Sequence, residues 1–482
     1  MKTRSGICFL FLFLSVLLLG LLSGCFHSSK LPPLIEKYNP GKPIIIKGAA
    51  VFTGIPGQDV LRNADILIEN GKIARIGDVS DAKSDCLVID GKGKMVIPGL
   101  IDHHVHITSP GTPPWYPVMP DRKLIERNLS AFVYAGITSV FDMGGPPYDM
   151  ESTGKRIAAE DKINPRLFYV GKILTKKGGH PCYMLDNLMP WPGGAIAIRK
   201  VVDQISDKDD IRPAILENKA HGATMTKIVI DQLPLGIPSL YEDLTREIVA
   251  QSKKEGLTLC AHIGSESDIL TGMNAGVRFF AHAPYRSSLS DATIQRMKAD
   301  QVSVISTLVV FDRTADFFKN TTAFTGMDRQ ILDPQIMNAY LNPPNGALDF
   351  GDPRLVSWVH DLETCREIKF ENVRRMKAAG ITIIAGTDSP NVATVAGSSL
   401  HTELRLLVEK CGFSPTEAVL AATSVSGEMI EKITGVKGLG RITPGGPADL
   451  VILNKDFRND ITQTENINTV ISNGRIVKRQ EL

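Results

Sequence analysis

Six residues of this 482-residue chain have the side chains and the spacing to build a metal centre: His104, His106, Lys227, His262, His282 and Asp388. His104 and His106 lie two apart in an apolar run that reads as a strand, so both rings point to the same face and can chelate one ion through imidazole nitrogens. Lys227, His262, His282 and Asp388 fall in or just after four further apolar runs. An isolated lysine in an apolar strand is costly as a cation. Carboxylation of its amine by CO2 would convert it into an anionic ligand able to bridge two divalent ions. Zn is the expected metal for an imidazole-rich site, and Mn, Fe or Co fit the same donors.

For these groups to meet, the backbone must deliver them from five runs of the chain. Short β-rich runs alternate with helix-length amphipathic stretches, the signature of repeated βα units. Eight strands are expected: MVIPGLIDHHVH ending at His106, ITSVFDM, RLFYVGKILT, MTKIVI holding Lys227, LTLCAHI ending near His262, VRFFAHA holding His282, VSVISTL, and ITIIAGTD ending at Asp388. Eight units in succession favour an α/β fold of the (β/α)8 TIM barrel type over an open doubly wound sheet, with the active-site mouth at the C-terminal strand ends. The 105 residues from Ala283 to Thr387 exceed two ordinary units. An insertion is therefore expected around 311–353, where Pro343, Pro344, Asn345 and Gly346 break regular structure; whether it forms a lid is left open. Two strand-like stretches flank this region, Ile44 to Ile76 and Gly445 to Lys478, each with an Asn-Gly turn at Asn70-Gly71 or Asn473-Gly474. They are expected to pair into a small β-sandwich built from both chain ends, 43–94 and 438–482, around a barrel at 95–437.

The run Pro98-Gly99-Leu100-Ile101-Asp102-His103-His104-Val105-His106 resembles the first-strand signature of the amidohydrolase superfamily. Lys227, His262, His282 and Asp388 in Gly386-Thr387-Asp388 match that superfamily's ligand set in order, and Gly445-Gly446-Pro447-Ala448-Asp449-Leu450 resembles its return to the β domain. The resemblance spans about Ile44 to Lys478 and is nearest to the prolidase-like and imidazolonepropionase-related branch. It implies hydrolysis of an amide bond at two divalent ions, which lower the pKa of a shared water towards about 7 and polarise the carbonyl. Asp388 is then ligand and proton shuttle, base and acid in turn.

Prolidase-like dipeptides or N-acyl amino acids are the leading small-molecule substrates. The branch's substrate contacts map onto His180 in Gly178-Gly179-His180 and onto Tyr241, although Pro181-Cys182-Tyr183 departs from the glycine-rich continuation of that motif. Cyclic-amide or lactone hydrolysis, or deamination, is the alternative on the same scaffold. A deaminase would carry Glu where this chain has Ser265, with Glu266 one residue on. An inactive envelope binding protein is the non-enzyme alternative, against which the complete ligand set argues.

Blander roles compete for the same residues. His103, His221, His360 and His401 are assigned to structure. Lys227 could snorkel, and Asp388 could cap a helix before Ser389-Pro390.

Lys plus Arg is 54 and Asp plus Glu is 52, so no field favours nucleic acid. Lys2 and Arg4 precede an apolar run to Leu22 that reads as a secretory signal, 1–24. Leu22-Ser23-Gly24-Cys25 resembles a lipobox, which implies lipidation of Cys25, a tether over 25–42 and a membrane-anchored place in the cell envelope. If the host is Gram-negative, Phe26 rather than Asp after the cysteine resembles the outer-membrane pattern. The remaining cysteines are widely spaced, unlike a zinc knuckle or a disulfide scaffold. Homo-oligomerisation is left open.

Overall fold

The computed structural model describes residues 34–36, 42–80, 85–116, 118, 120–159, 163–189, 192–348 and 351–480. The expected leader, the lipidation site Cys25 and most of the 25–42 tether lie outside the described residues.

Both ends of the chain enter one nine-stranded sheet. Ile44–Val51 pairs antiparallel with Leu61–Glu69 and parallel with Leu87–Asp90 and Met95–Pro98. Met95–Pro98 pairs antiparallel with Leu450–Leu453, placing Leu450 opposite Pro98, and the sheet continues through Ile467–Ser472 and Arg475–Arg479 to Ile35–Glu36. Alternation along these strands sends Ile44, Ile46, Ile66, Ile68, Val96, Leu450, Ile452 and Ile471 into a shared core.

The two Asn-Gly turns form where expected, with φ of 51° and 75° at Asn70-Gly71 and 51° and 73° at Asn473-Gly474. They also pack on one another. Ala448 N–H donates to Gly71 O at 3.0 Å, Gly474 N–H donates to Ala448 O at 2.9 Å, and a Cβ on Gly474 would lie 2.5 Å from Gly71 Cα. Gly474→Ala is therefore expected to destabilise the fold by more than about 1 kcal/mol, through positive φ and this backbone clash. The check is a lower denaturation midpoint with unchanged turnover per folded molecule.

The remaining strands form two parallel sheets. One holds Leu100–Val105, Ile137–Asp142 and Arg166–Tyr169; the other holds, in spatial order, Val202–Ile205, Ile173–Lys176, Met225–Val229, Thr258–His262, Phe279–Ala281, Ser303–Ile305 and Thr382–Ile384. Backbone hydrogen bonds join the sheets on both sides. Thr224 N–H donates to Tyr169 O at 3.0 Å, His103 N–H to Ala385 O at 3.2 Å, and Asp388 N–H to His104 O at 2.7 Å.

Four details differ from expectation. The run RLFYVGKILT is not one strand but two, Arg166–Tyr169 in the smaller parallel sheet and Ile173–Lys176 in the larger. The first run is two strands, divided at Gly99, whose N–H donates to Asp449 O at 2.7 Å and whose Cβ, if present, would fall on Thr138. The division lets four residues serve the nine-stranded sheet and the next six the parallel one. Val202–Ile205 is an additional edge strand, in register with Ile173–Lys176; its mixed sequence directly follows a helix and hides the alternation. The segment expected as an irregular insertion is largely helical, with Leu308–Phe318, Gly326–Ile331, Pro334–Leu341 and then Pro353–Thr364. Pro334 and Pro353 begin helices behind the N-caps Asp333 and Asp352, because proline is preorganised for the first turn. No helix among the described residues is long and apolar enough to cross a membrane.

Candidate metal centre

The C-terminal ends of the parallel strands bring five of the six predicted donors, and His180, into contact through rings and carboxylate. His104 and His106 ring centroids lie 5.5 Å apart, His104 and His282 4.8 Å, His262 and His282 4.0 Å, and His180 and His262 5.0 Å. Asp388 Oδ1 lies 2.8 Å from His106 Nε2 and 3.2 Å from His104 Nε2. Single donor atoms of His104, His282 and Asp388 all fall within 4.8 Å of one another. His282, Thr307 and Asp388 each follow the end of a strand with positive φ, at 77°, 41° and 60°. Strained backbone of this kind persists only where the surroundings over-determine it.

Buried carboxylates hold these donors in place. Asp102 accepts from His104 N–H at 3.2 Å and from Thr387 N–H and Oγ1 at 3.1 and 2.6 Å, tying the first strand to the segment bearing Asp388. Burial pushes its carboxyl up to about 8. Asp142 accepts from Ile107 N–H at 2.7 Å and Gly144 N–H at 3.0 Å. That turn presents Gly144 O to His106 Nδ1 at 3.0 Å. Asp231, wholly buried, lies 3.3 Å from His262 Nε2 and pairs on its other oxygen with Arg286, which also meets Tyr285 Oη at 2.9 Å. These supports were not singled out from sequence, although each aspartate lies in or just after an apolar run, where an acidic group has little packing purpose.

The protonation pattern bears on whether a cation fits. Burial opposes charge on Asp388, yet His104 and His106 hold it well below the usual carboxylate range. Burial drives His104 down to about 3, with Lys227 adding to the shift. His106 Nδ1 faces a carbonyl and therefore carries a proton, so in the neutral ring Nε2 is an acceptor. That acceptor faces Asp388 Oδ1 at 2.8 Å. Two acceptors at this distance require a positive charge between or beside them, either a second proton or a metal ion. In His282, Nδ1 meets Thr307 Oγ1 at 2.7 Å, a hydroxyl that can donate or accept, and Nε2 is the ring nitrogen left for a ligand role. Imidazole and carboxylate donors so arranged fit a divalent cation.

Lys227 is 2% exposed, its Cα pairs in register with Cys260, and burial lowers its pKa. Among the described residues no carboxylate lies within ion-pair distance of its ammonium. His180 is half-buried with Nδ1 unpartnered among the described residues, and burial drives it to about 3. Tyr241 stands apart: it is 64% exposed at the start of helix Glu242–Lys254 and makes no ring contact or hydrogen bond to the histidines. Ser265 and Glu266 serve the helix Glu266–Ala275, Ser265 as its N-cap and Glu266 accepting from Ser290 N–H at 2.7 Å.

His103, His221, His360 and His401, the histidines expected to be structural, make no ring contact or side-chain hydrogen bond with the donor cluster among the described residues. His103 is wholly buried, stacked on Phe141 and edge-on to Phe279. His401 joins Thr464 Oγ1 at 3.0 Å and Ala135 O at 2.9 Å, His221 pairs with Glu151 at 2.7 Å, and His360 is exposed.

A crystal structure of an amidohydrolase aligns with TM-score 0.69 and 25% identity over 92% of this chain and all of its own. A prolidase crystallised with N-methylphosphonate-L-proline aligns with TM-score 0.70 and 23% identity over 91% of this chain and all of its own, a likeness of fold. A dihydroorotase of Trichlorobacter lovleyi is 26% identical over 279 residues, 52% of this chain and 63% of that protein, so this chain spans less than two thirds of that relative's length. The sequence profile of the amidohydrolase family matches residues 95–477, most of the described chain and every donor above, and the chain belongs to that family.

Proposed function

We propose that this chain hydrolyses the amide bond of a small peptide or N-acyl amino acid, in the manner of a prolidase-like dipeptidase. The parallel strands form a closed (β/α)8 barrel over 95–437, flanked by a β-sandwich domain from 43–94 and 438–482. The observation that carries the reading is the facing of His106 Nε2 and Asp388 Oδ1 at 2.8 Å, a contact that a divalent ion or a second proton on the ring would satisfy, in a chain of this family. His104, His106, Lys227 as its carbamate, His262, His282 and Asp388 would hold two divalent ions, Zn by preference. Such ions supply a water of lowered pKa and a Lewis acid for the carbonyl.

The chain's own groups do the rest. Asp388 is held ionised by two imidazoles and so can accept a proton at its carboxylate and return it to the leaving amine. Asn391 Nδ2 stands 3.4 Å from Asp388 Oδ2 and steadies that oxygen. His180, neutral and with Nδ1 free, is placed beside His262 to meet a polar substrate group. From the lipobox-like Leu22-Ser23-Gly24-Cys25, we place the enzyme on a lipid anchor in the cell envelope.

The dihydroorotase relative favours cyclic amides as the second reading. Turnover of the metal-loaded protein on Xaa-Pro dipeptides, N-acyl amino acids and dihydropyrimidine-type cyclic amides separates the two. Activity on linear substrates at least about tenfold above that on cyclic ones, about 1.4 kcal/mol of discrimination, is expected; the reverse ratio selects the second reading. Metal-loaded protein active on neither overturns both.

A further inference from the structure

Glu403 is wholly buried on helix Ser398–Cys411, and among the described residues no cation lies within ion-pair distance of it. Its carboxylate is spent on one turn. Oε1 accepts from Ser306 Oγ and from Leu308 N–H at 3.0 Å, and Oε2 accepts from Val309 N–H at 2.7 Å. Leu308 and Val309 open the helix Leu308–Phe318, whose own N-cap residue, Thr307, supplies no side-chain cap. Glu403 caps that helix from outside and fixes the residues on either side of Thr307.

Thr307 itself has φ 41° and ψ 41°, a left-handed conformation that a β-branched residue rarely adopts. Its hydroxyl lies 2.7 Å from His282 Nδ1, and both side chains are buried. Ser306 N–H donates to Ile384 O at 3.0 Å and Ala283 N–H donates to Ser306 O at 3.0 Å, so the turn is anchored to the strands on both sides. A strained residue clamped by hydrogen bonds on both flanks, and touching a site imidazole, marks a functional constraint rather than a packing accident.

We infer that Glu403 and Thr307 are positioning residues for the metal centre: Glu403 clamps the 306–309 turn so that the left-handed Thr307 hydroxyl, bonded to Nδ1, fixes the ring orientation of His282, leaving Nε2 as the nitrogen available to the cation. This rests on the reading of His282 as a ligand. Outer partners of metal-bound histidines typically change metal affinity by about 10–100-fold when removed.

The test is Zn affinity, measured by competition with a chromophoric chelator, and the visible absorption spectrum of the Co(II)-substituted full-length protein in detergent. Thr307→Val and Glu403→Gln are expected to weaken Zn binding about 10–100-fold and to shift the cobalt bands, while Thr307→Ser, which keeps the hydroxyl, stays near the parent. Thr307→Gly separates strain from positioning. Glycine accepts positive φ, so that variant is expected to melt no lower than the parent yet bind Zn as weakly as Thr307→Val. Parent-like Zn affinity and cobalt spectra in Thr307→Val and Thr307→Gly overturn the inference, whether or not Glu403→Gln folds. A parent protein that binds no Zn overturns the metal-site reading itself, and the inference falls with it.

Discussion

Asp388→Asn is expected to lower kcat by about 10²–10⁴-fold, the usual worth of a positioned acid–base group, while metal content stays close to that of the parent. The asymmetry follows from what the substitution keeps. The asparagine side chain would retain one oxygen able to face His106 and His104, and the positive φ at this position, 60°, is one that asparagine tolerates well. It would lose the negative charge that the two imidazoles stabilise and the capacity to take up a proton. Turnover and metal content measured on the same preparation check this. Unchanged turnover removes the shuttle role; metal and turnover lost in parallel reduce Asp388 to a ligand.

The pH dependence should follow the same charges. Asp388 is depressed, so its charge is present at neutral pH and persists well into acid before protonation removes the base. Asp102, raised to about 8 by burial, behaves oppositely. Its unfolded pKa near 4 lies below the folded one, so ionisation as pH rises from about 4 through 8 weakens the metal-free fold.

Much of the site was legible because two-residue spacing on a strand leaves few options: His104 and His106 share a face, and an apolar run ending in His or Asp puts that group at the strand end. The ligand set was ordered by resemblance rather than by periodicity. What sequence did not disclose are groups whose roles depend on long-range contacts. Glu403 lies 95 residues from the Leu308 N–H that it caps, and Asp102 lies 285 residues from Thr387. Nothing local marks either. Tyr241 shows the converse: placement after a strand cannot tell an inward side chain from one that opens a helix and faces solvent, as this one does. Pro343 and Pro344 do fall between helices, as expected; the helices around them went unread because the same fixed φ that breaks a helix interior favours its first turn, as at Pro334 and Pro353.

Lys227→Met is expected to reduce bound metal from about two equivalents to one or none, with turnover falling at least about 10²-fold, yet to leave the metal-free fold as stable as before or more so. Methionine matches the length of the lysine stem and is apolar. In the strand Met225–Val229 it would replace a cation that is 2% exposed and that finds no carboxylate within ion-pair distance among the described residues. Removing an uncompensated buried charge relieves a penalty. An ordinary structural lysine would show the opposite balance, with stability lost and metal retained. Carboxylation adds a second discriminator: burial lowers the pKa of Lys227, which favours the neutral amine that reacts with CO2. Reconstitution of the parent from apoprotein should therefore take up its second equivalent only when bicarbonate is present, whereas Lys227→Met should be indifferent to it. Metal uptake by the parent that is complete without CO2 rules out the carbamate, and metal content unchanged in Lys227→Met removes Lys227 from the centre.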